Sequence, residues 1–319
     1  MVTSVPPKVS VLVTTYNHER FIGQALESAL MQEANFPFEV VVGEDKSPDR
    51  TLEIVEEYRR RHPDKIRLIA RERNLGSGNF VETYAACRGK YVAILEGDDY
   101  WTSAEKLQVQ ADALDARPDW VLCFHAVQVV RDDGREPDYL FPPGRRVVST
   151  LDDLLKMNFV PTCSAMFRNR VVVKFPEWYA ALALGDWPFF ILLAQHGQLG
   201  YLDRVMATYR MHLGGIWASK APWVRMERSL EMLSQVRRIL DDGRRERLTR
   251  QVVMGYIELA AEQIRSGQVP AARSTLRGVL RRESVLKRGF PHWDALRATL
   301  EIEAPSVLRM IRWIRRRAR

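Results

Sequence analysis

A mostly parallel, doubly wound α/β sheet with a C-terminal α-helical extension is the fold this sequence predicts, and three observations predict it. Largely apolar, β-branched runs recur at residues 9–14, 38–43, 66–70 and 91–95, lacking the regular polar alternation of a half-exposed strand. Such runs read as strands buried on both faces. Each of the first three is followed by a polar loop, with helical periodicity after most of these, as expected of a parallel sheet wound with helices. From about residue 222 the pattern changes to charged helices joined by short turns. The predicted division is an α/β domain over residues 1–221 and a helical region over residues 222–319.

In chain order, residues 9–14 form the first strand and residues 19–32 its helix, with Phe21, Ile22, Ala25, Leu26, Ala29 and Leu30 on one face. Residues 38–43 are the second strand, 44–49 a polar loop, 51–61 a helix and 66–70 the third strand. A loop bearing Asn74, Gly76 and Gly78 leads to a helix through Tyr84 and Cys87. After the fourth strand, residues 104–117 read as helix and 120–130 as strand. Asp133-Gly134 and Pro142-Pro143-Gly144 mark residues 132–147 as a turn-rich loop. Residues 162–167 and 199–209 read as strands on either side of a helix that runs from Asp186 to about Gly197. The extension holds helices over 224–240, 245–266 and 270–282, and a terminal one after Pro305. Its turns, Asp241-Asp242-Gly243 and Ser266-Gly267, suit antiparallel hairpins.

The 319 residues are 46% hydrophobic, enough for a substantial core. No apolar stretch approaches the roughly 18 residues of a membrane span, and residues 1–8 lack the regions of a secretory signal, so a cytoplasmic location is expected. Cys87, Cys123 and Cys163 lack paired metal-ligand spacing and are expected as reduced packing residues. The net charge of +8 is local: six arginines fall between Arg309 and Arg319, and removing them leaves +2. No helix-turn-helix, RNA-binding or zinc-finger pattern accompanies it, so nucleic acid is not an expected partner.

The chemistry concentrates at Glu96-Gly97-Asp98-Asp99, three carboxylates in four positions directly after the fourth strand. Ligands of open α/β sheets bind beyond the carboxyl ends of the strands. Clustered carboxylates repel one another unless a cation sits among them, and Mg2+ or Mn2+ takes oxygen ligands while holding a diphosphate. The plainer alternative is an acidic turn whose Asp99 or Thr102 caps the next helix.

Five motifs then occur in order: Val9-Ser10-Val11-Leu12-Val13-Thr14-Thr15-Tyr16-Asn17, Gly43-Glu44-Asp45-Lys46-Ser47-Pro48-Asp49, Arg73-Asn74-Leu75-Gly76, Glu96-Gly97-Asp98-Asp99-Tyr100-Trp101 and Leu184-Gly185-Asp186-Trp187. Together they resemble the family 2 inverting glycosyltransferases of GT-A fold, over residues 8 to about 218. The resemblance implies a nucleotide-sugar donor, with UDP favoured. Thr14, Tyr16 and Asp45 match the family's base pocket, where Tyr16 can pack on a pyrimidine and Asp45 can accept its imide proton. Asn74 and Asp98 complete the implied nucleotide-binding set. Glu44 departs from the paired aspartates common in its loop. The metal motif maps onto Asp98 and Asp99, either of which is eligible as the direct ligand of Mg2+ or Mn2+. Glu96 replaces the frequent first Asp and could reach the ribose or a metal-bound water. His212 is implied as a further metal ligand, Arg210 as a phosphate partner and Asp186 as the general base. Trp101, Trp187 and Trp217 could form a sugar platform, with core packing expected for at least one of them.

Two other classes compete. A sugar nucleotidyltransferase would want a Gly-rich basic loop near the N-terminus, and residues 14–20 contain no Gly. A catalytically inactive scaffold would have shed its acids, yet Asp45, Asp98, Asp99 and Asp186 are all present. Gln235-Val236-Arg237-Arg238-Ile239 nearly matches a motif of processive polysaccharide synthases, but Ile239 stands where that motif has Trp, so single transfer is expected. The acceptor class is open among glycan, lipid-linked and protein hydroxyls, in surface-glycan or polysaccharide biosynthesis. In the tail, Val307, Met310, Ile311 and Ile314 recur at helical spacing opposite Arg309, Arg312, Arg316 and Arg319. Such a basic amphipathic helix either docks on its own domain or makes peripheral contact with the inner face of the membrane.

Overall fold

In the computed structural model, which describes residues 5–132, 134, 137–215, 217, 219–281 and 309–310, the chain divides into two units, Met1–Ala218 and Ser219–Arg319. The first begins with the expected alternation: β1 (Val9–Thr15), α1 (Ile22–Leu30), β2 (Phe38–Glu44), α2 (Thr51–Arg61), β3 (Ile66–Ala70), α3 (Ser77–Ala86) and β4 (Tyr91–Glu96). There follow β5 (Tyr100–Trp101), α4 (Lys106–Ala116), β6 (Trp120–Arg131), β7 (Tyr139–Phe141), β8 (Val148–Ser149), α5 (Leu151–Leu154), β9 (Met166–Arg168), α6 (Asp186–Ala194) and β10 (Gln198–Met211). Among the described residues these strands form a ten-stranded sheet in the order β3-β2-β1-β4-β9-β6-β10-β5, with β7 added to β6 and β8 to β10. The long strands all run one way. β1 is parallel to β2 and β4, β2 to β3, and β10 to β6, while the short β9 is antiparallel to both β4 and β6 and so keeps them aligned.

The apolar runs are continuous because both faces of these strands are covered: Val11, Leu12, Val13, Val40, Val41 and Val42 are all fully buried. α1 contributes Ile22, Ala25, Leu26 and Ala29 to the same core. Glu39 interrupts β2 with a charge, and its carboxylate is fully engaged, accepting from Ser10 Oγ at 2.7 Å, Arg88 Nη2 at 2.6 Å and Arg67 Nη1 at 3.0 Å. Burial works to raise this carboxyl, but the Arg88, Ser10 and Arg67 donors outweigh it and hold the group below the usual carboxylate range.

From β1 the chain winds outward through β2 to β3 and then returns to β4 on the other side of β1. The carboxyl ends of β1 and β4 therefore flank a topological switch point, where a ligand crevice is expected. Register places Thr14 opposite both Gly43 and Glu96, and Thr15 opposite Glu44, so the motif loops leave the sheet side by side.

Three local differences from the expected elements bear on the site. Residues 162–167 are not one strand: Thr162–Ser164 is a 3-10 turn, bonded back from Ser164 Oγ to Pro161 O at 2.7 Å, and only then does β9 begin. The acidic turn does not run straight into a helix, because Tyr100 and Trp101 first pair antiparallel with Thr208 and Ala207 of β10. α4 is capped by neither Asp99 nor Thr102; its N-cap is Glu105 and makes no side-chain bond. The cysteines are free and buried.

In the second unit, α7 (Pro222–Val236) packs on α8 (Asp242–Arg265) and α8 on α9 (Val269–Arg281). The expected helix over 224–240 stops at Val236 and tightens into a 3-10 turn, Arg237–Ile239. Asp241 caps α8 by accepting the Arg244 N–H at 2.9 Å, and Gly267, at φ +74°, reverses the chain into α9. Apart from residues 309–310, which are helical, the basic tail lies outside the described residues. No described helix is long and apolar enough to cross a membrane.

Candidate active site

The loop after β1 is pinned by the loop after β2. Asn17 adopts φ +60°, a left-handed conformation that Asn tolerates better than most side chains, and its N–H donates to Ser47 Oγ at 3.0 Å. The His18 N–H donates to Thr51 Oγ1 at 2.8 Å and the Glu19 N–H to Asp49 Oδ2 at 3.0 Å. Glu44 shapes the second loop by accepting the N–H groups of Ser47 at 2.7 Å and Lys46 at 3.2 Å, a structural task for the residue that departs from the family's paired aspartates. Asp45 reaches on to the third loop, accepting the N–H groups of Leu75 at 2.7 Å and Gly76 at 2.9 Å. Burial pushes its carboxyl up, and these two donors pull against that. Asn74 closes the arrangement: Nδ2 donates to Asp45 O at 3.2 Å and Oδ1 accepts the Gly76 N–H at 3.2 Å. Each Asp45 oxygen retains a lone pair. Thr14, next to last in β1, is half-buried, and Tyr16 is 37% exposed.

Across the switch point, Gly97 lets the acidic turn approach β1. Its N–H donates to Thr14 O at 2.9 Å, and a Cβ here would lie 2.6 Å from Thr15 Oγ1 and 2.8 Å from His18 Nδ1. Asp98 Oδ2 stands 3.1 Å from His212 Nε2 and 3.5 Å from His18 Nε2. Ligand atoms of these three residues lie within 4.8 Å of one another, a grouping of metal-binding side chains that fits a divalent cation. Burial works to raise the Asp98 carboxyl, but the His212 hydrogen bond and the charges of His18 and His212 hold it below its ordinary value. Burial also lowers His18, favouring the neutral ring.

Asp99, the other residue eligible as direct ligand, stands outside that group. It is fully buried, and its Oδ1 accepts the Arg210 N–H at 2.8 Å. Among the described residues, Asp99 Oδ2 and Glu96 Oε2 are buried and have no hydrogen-bond partner. Burial pushes both carboxyls well above the usual range; Asp98 adds to the effect on Asp99, and Asp99, Asp98 and Asp186 add to it on Glu96. The turn thus favours one anion, Asp98, over three. Arg210 braces it, donating from Nη1 to Asp98 O at 2.9 Å and from Nη2 to Gln24 Oε1, with its guanidinium 4.6 Å from the Tyr100 ring centre. The pairing of β5 with β10 is what brings Arg210 and His212 to this turn.

Asp186 is the first residue of α6, where the unpaired N–H groups of a helix start favour a carboxylate. Its Oδ2 accepts from Asn158 Nδ2 at 3.0 Å and Thr162 Oγ1 at 3.3 Å. Asn158 Oδ1 accepts the Val160 N–H at 3.2 Å, which sets the end of the amide that faces Asp186. The approach to the helix is held by Tyr179 Oη donating to Gly185 O at 2.6 Å and Ser77 Oγ donating to Leu182 O at 2.8 Å. Burial raises the Asp186 carboxyl, against the pull of nearby donors. Its charge is felt at Glu96 and at Tyr209, and burial followed by Asp99, Asp98, Glu96 and Asp186 raises the Tyr209 phenol. Asp186 and the acidic turn therefore both act electrostatically on Tyr209.

The tryptophans separate. Trp101 is 1% exposed, donates from Nε1 to Cys163 O at 2.8 Å and lies under Lys106, so it is a core residue and not a sugar contact. Trp187 is half-buried and tied from Nε1 to Leu154 O at 2.8 Å, while Trp217 is half-buried. Sequence reasoning missed His18, Asn158, Thr162 and Tyr209. Only His18 carried a signal, its place beside the end of β1.

A sheet with this switch point, an acidic turn after β4 and a carboxylate at the start of α6 fit the GT-A fold of glycosyltransferases. The chain belongs to glycosyl transferase family 2, whose family model matches residues 10–174. An uncharacterized protein of Mycobacterium bovis is 39% identical over 214 residues, covering 66% of this chain and 61% of that protein. The chain thus spans about three-fifths of that relative's length. The poly(ribitol-phosphate) beta-N-acetylglucosaminyltransferase TarS of Staphylococcus aureus is 38% identical over 180 residues, 53% of this chain and 30% of TarS. The crystal structure of TarS 1-349 with UDP-GlcNAc has the same fold at a TM-score of 0.61 and 22% identity, over 85% of this chain and 81% of that one. The mannosyltransferase PcManGT of Pyrobaculum calidifontis, in complex with GDP-Man and Mn2+, matches at a TM-score of 0.53 and 17% identity, over 97% of this chain and 86% of that one.

Proposed function

We propose that the chain transfers a sugar from a nucleotide-sugar, a UDP-sugar by preference, to an acceptor hydroxyl, with inversion at the anomeric carbon and with Mg2+ or Mn2+ bound. The observation that carries this reading is a pair of carboxyl groups whose surroundings shift them in opposite directions. Asp98 is held anionic between two imidazoles, which suits a cation on a diphosphate. Asp186 is raised by burial, which makes it a stronger base near neutral pH. The acceptor oxygen attacks the anomeric carbon from the face opposite the diphosphate; the bond from that carbon to the diphosphate oxygen breaks, and its electron pair leaves with the diphosphate. The acceptor proton passes to the Asp186 carboxylate, which Asn158 and Thr162 orient. A bound divalent cation would neutralise charge on the leaving diphosphate. Thr14, Tyr16, Asp45 and Asn74 form the nucleotide side, where Tyr16 has ring surface to offer a pyrimidine. Glu96, Trp187 and Trp217 are left as sugar or acceptor contacts.

The UDP-GlcNAc named with TarS and the GDP-Man and Mn2+ named with PcManGT support a nucleotide-sugar donor and a cation. The role proposed is single, non-processive transfer in surface-glycan assembly, onto a glycan, lipid-linked or protein acceptor at the inner face of the membrane. The test is nucleotide release by purified protein from a panel of UDP-, GDP- and dTDP-sugars, with Mg2+, Mn2+ or a chelator. Release confined to UDP-sugars, and lost both with chelator and in Asp98→Asn, is expected. No release from any donor with either cation would overturn the reading.

A further inference from the structure

We propose that His18 is itself a metal ligand, making with Asp98 and His212 a site of two imidazoles and one carboxylate that selects Mn2+ over Mg2+. This deepens the proposed function by naming the ion its site takes, and rests on chemistry that can be read without nucleotide or sugar.

Geometry carries the argument first. With metal–ligand bonds of about 2.1 Å, neighbouring ligand atoms stand about 3.0 Å apart around an octahedral ion and about 3.4 Å apart around a tetrahedral one. The separation from Asp98 Oδ2 to His212 Nε2, 3.1 Å, falls in that interval, and the 3.5 Å to His18 Nε2 lies just above its upper end. The rings approach from different directions, edge to face at 76° with centres 6.3 Å apart, and both present Nε2 to the same carboxylate oxygen.

The protein also spends structure on holding His18 there. Its N–H is bound by Thr51 Oγ1 at 2.8 Å, and its carbonyl accepts the N–H groups of Phe21 and Ile22, each at 2.9 Å. Thr15 Oγ1 lies 3.3 Å from the ring Nδ1. With Nδ1–H donating to Thr15, the Nε2 lone pair is directed at the Asp98 side, the arrangement by which a metal-bound histidine is usually oriented. Gly97 supplies the remaining clearance, since any Cβ would press on both Thr15 and His18. His212 is seated independently on Phe21, with ring centres 4.6 Å apart.

Donor chemistry then gives the selectivity. Mg2+ is a hard ion that binds oxygen and gives up water reluctantly, whereas imidazole suits first-row transition ions. Three protein atoms on an octahedral ion leave three positions for water or diphosphate oxygens.

The experiment is nucleotide-free calorimetry of Mn2+ and Mg2+ binding to chelator-treated full-length protein, with electron spin-echo spectroscopy of the bound Mn2+ to count coordinated imidazoles. The wild type is expected to bind Mn2+ at least tenfold more tightly than Mg2+ and to show two imidazoles. Folded His18→Ala should lose at least tenfold in Mn2+ affinity and show one, while His18→Asp should shift the preference toward Mg2+. Equal affinities for the two ions, one imidazole in the wild type, or unchanged Mn2+ affinity in His18→Ala would overturn the proposal. The imidazole count on the wild type decides the matter even if a variant fails to fold. Sugar transfer by a protein that binds no Mn2+ would sink this inference and leave the transferase reading intact, and the reverse outcome would do the opposite.

Discussion

Asn158→Ala removes the shorter of the two side-chain hydrogen bonds to Asp186 Oδ2, at 3.0 Å, and keeps the helix start that holds the carboxylate. A hydrogen bond to a charged group contributes about 1.5–3 kcal/mol, so its loss strengthens proton binding by Asp186 by roughly ten- to a hundredfold. The sign follows from the groups present. Burial already raises this carboxyl, and Thr162 and Asn158 are among the donors that pull it down. A general base works only when deprotonated, so its activity is lost as pH falls through its pKa. Removing a donor that lowers the pKa moves the acid limb of kcat/KM to higher pH. On the acid side the variant should lose about the whole factor, and well above the limb much less. Thr162→Val, whose hydroxyl is at 3.3 Å, should act in the same direction. The assay is kcat/KM against pH for both variants, with donor affinity measured alongside. An acid limb that stays in place, or a loss confined to donor affinity, would refute the assignment of Asn158 as a positioning residue.

Gly97→Ala would place a Cβ 2.6 Å from Thr15 Oγ1 and 2.8 Å from His18 Nδ1, and is expected to cost about 1–3 kcal/mol of stability as well as weakening Mn2+ binding, read by denaturant unfolding and calorimetry. Trp101→Ala should cost about 3–5 kcal/mol by opening a core cavity, whereas Trp217→Ala should cost under about 1 kcal/mol; equal losses in unfolding experiments would contradict the buried and half-buried placements. Asp45→Asn leaves a single acceptor oxygen for the N–H groups of Leu75 and Gly76, so both the melting temperature and the affinity for UDP should fall, the stability by about 1–3 kcal/mol.

The parallel half of the sheet was legible because burial on both faces writes itself as uninterrupted apolar sequence, and the repeated helix after each strand gives the winding. β5 was not, and β9 was read from too early a start, because strands of two and three residues are specified by their neighbours and not by a pattern of their own. The same limit governs the tryptophans: strand alternation turns Tyr100 toward Arg210 and Trp101 into the core, a one-residue distinction that required the pairing with β10. Motif order placed Asp98 and His212 just past strand ends and Asp186 at a helix start. It did not separate Asp98 from Asp99, since that depends on which carboxylate meets His212 and which meets the Arg210 N–H. Asn158, Thr162 and Tyr209 gain their roles only when distant segments meet around Asp186.

The most direct test of the account is proton NMR of the sugar first released when the protein slowly hydrolyses an α-linked UDP-sugar in the presence of Mn2+. Single displacement assisted by Asp186 requires water to attack opposite the diphosphate. The β anomer is therefore expected first, ahead of mutarotation, with the rate reduced about a hundredfold or more in Asp186→Asn. An initial α anomer, or β anomer formed at an undiminished rate by Asp186→Asn, would contradict it.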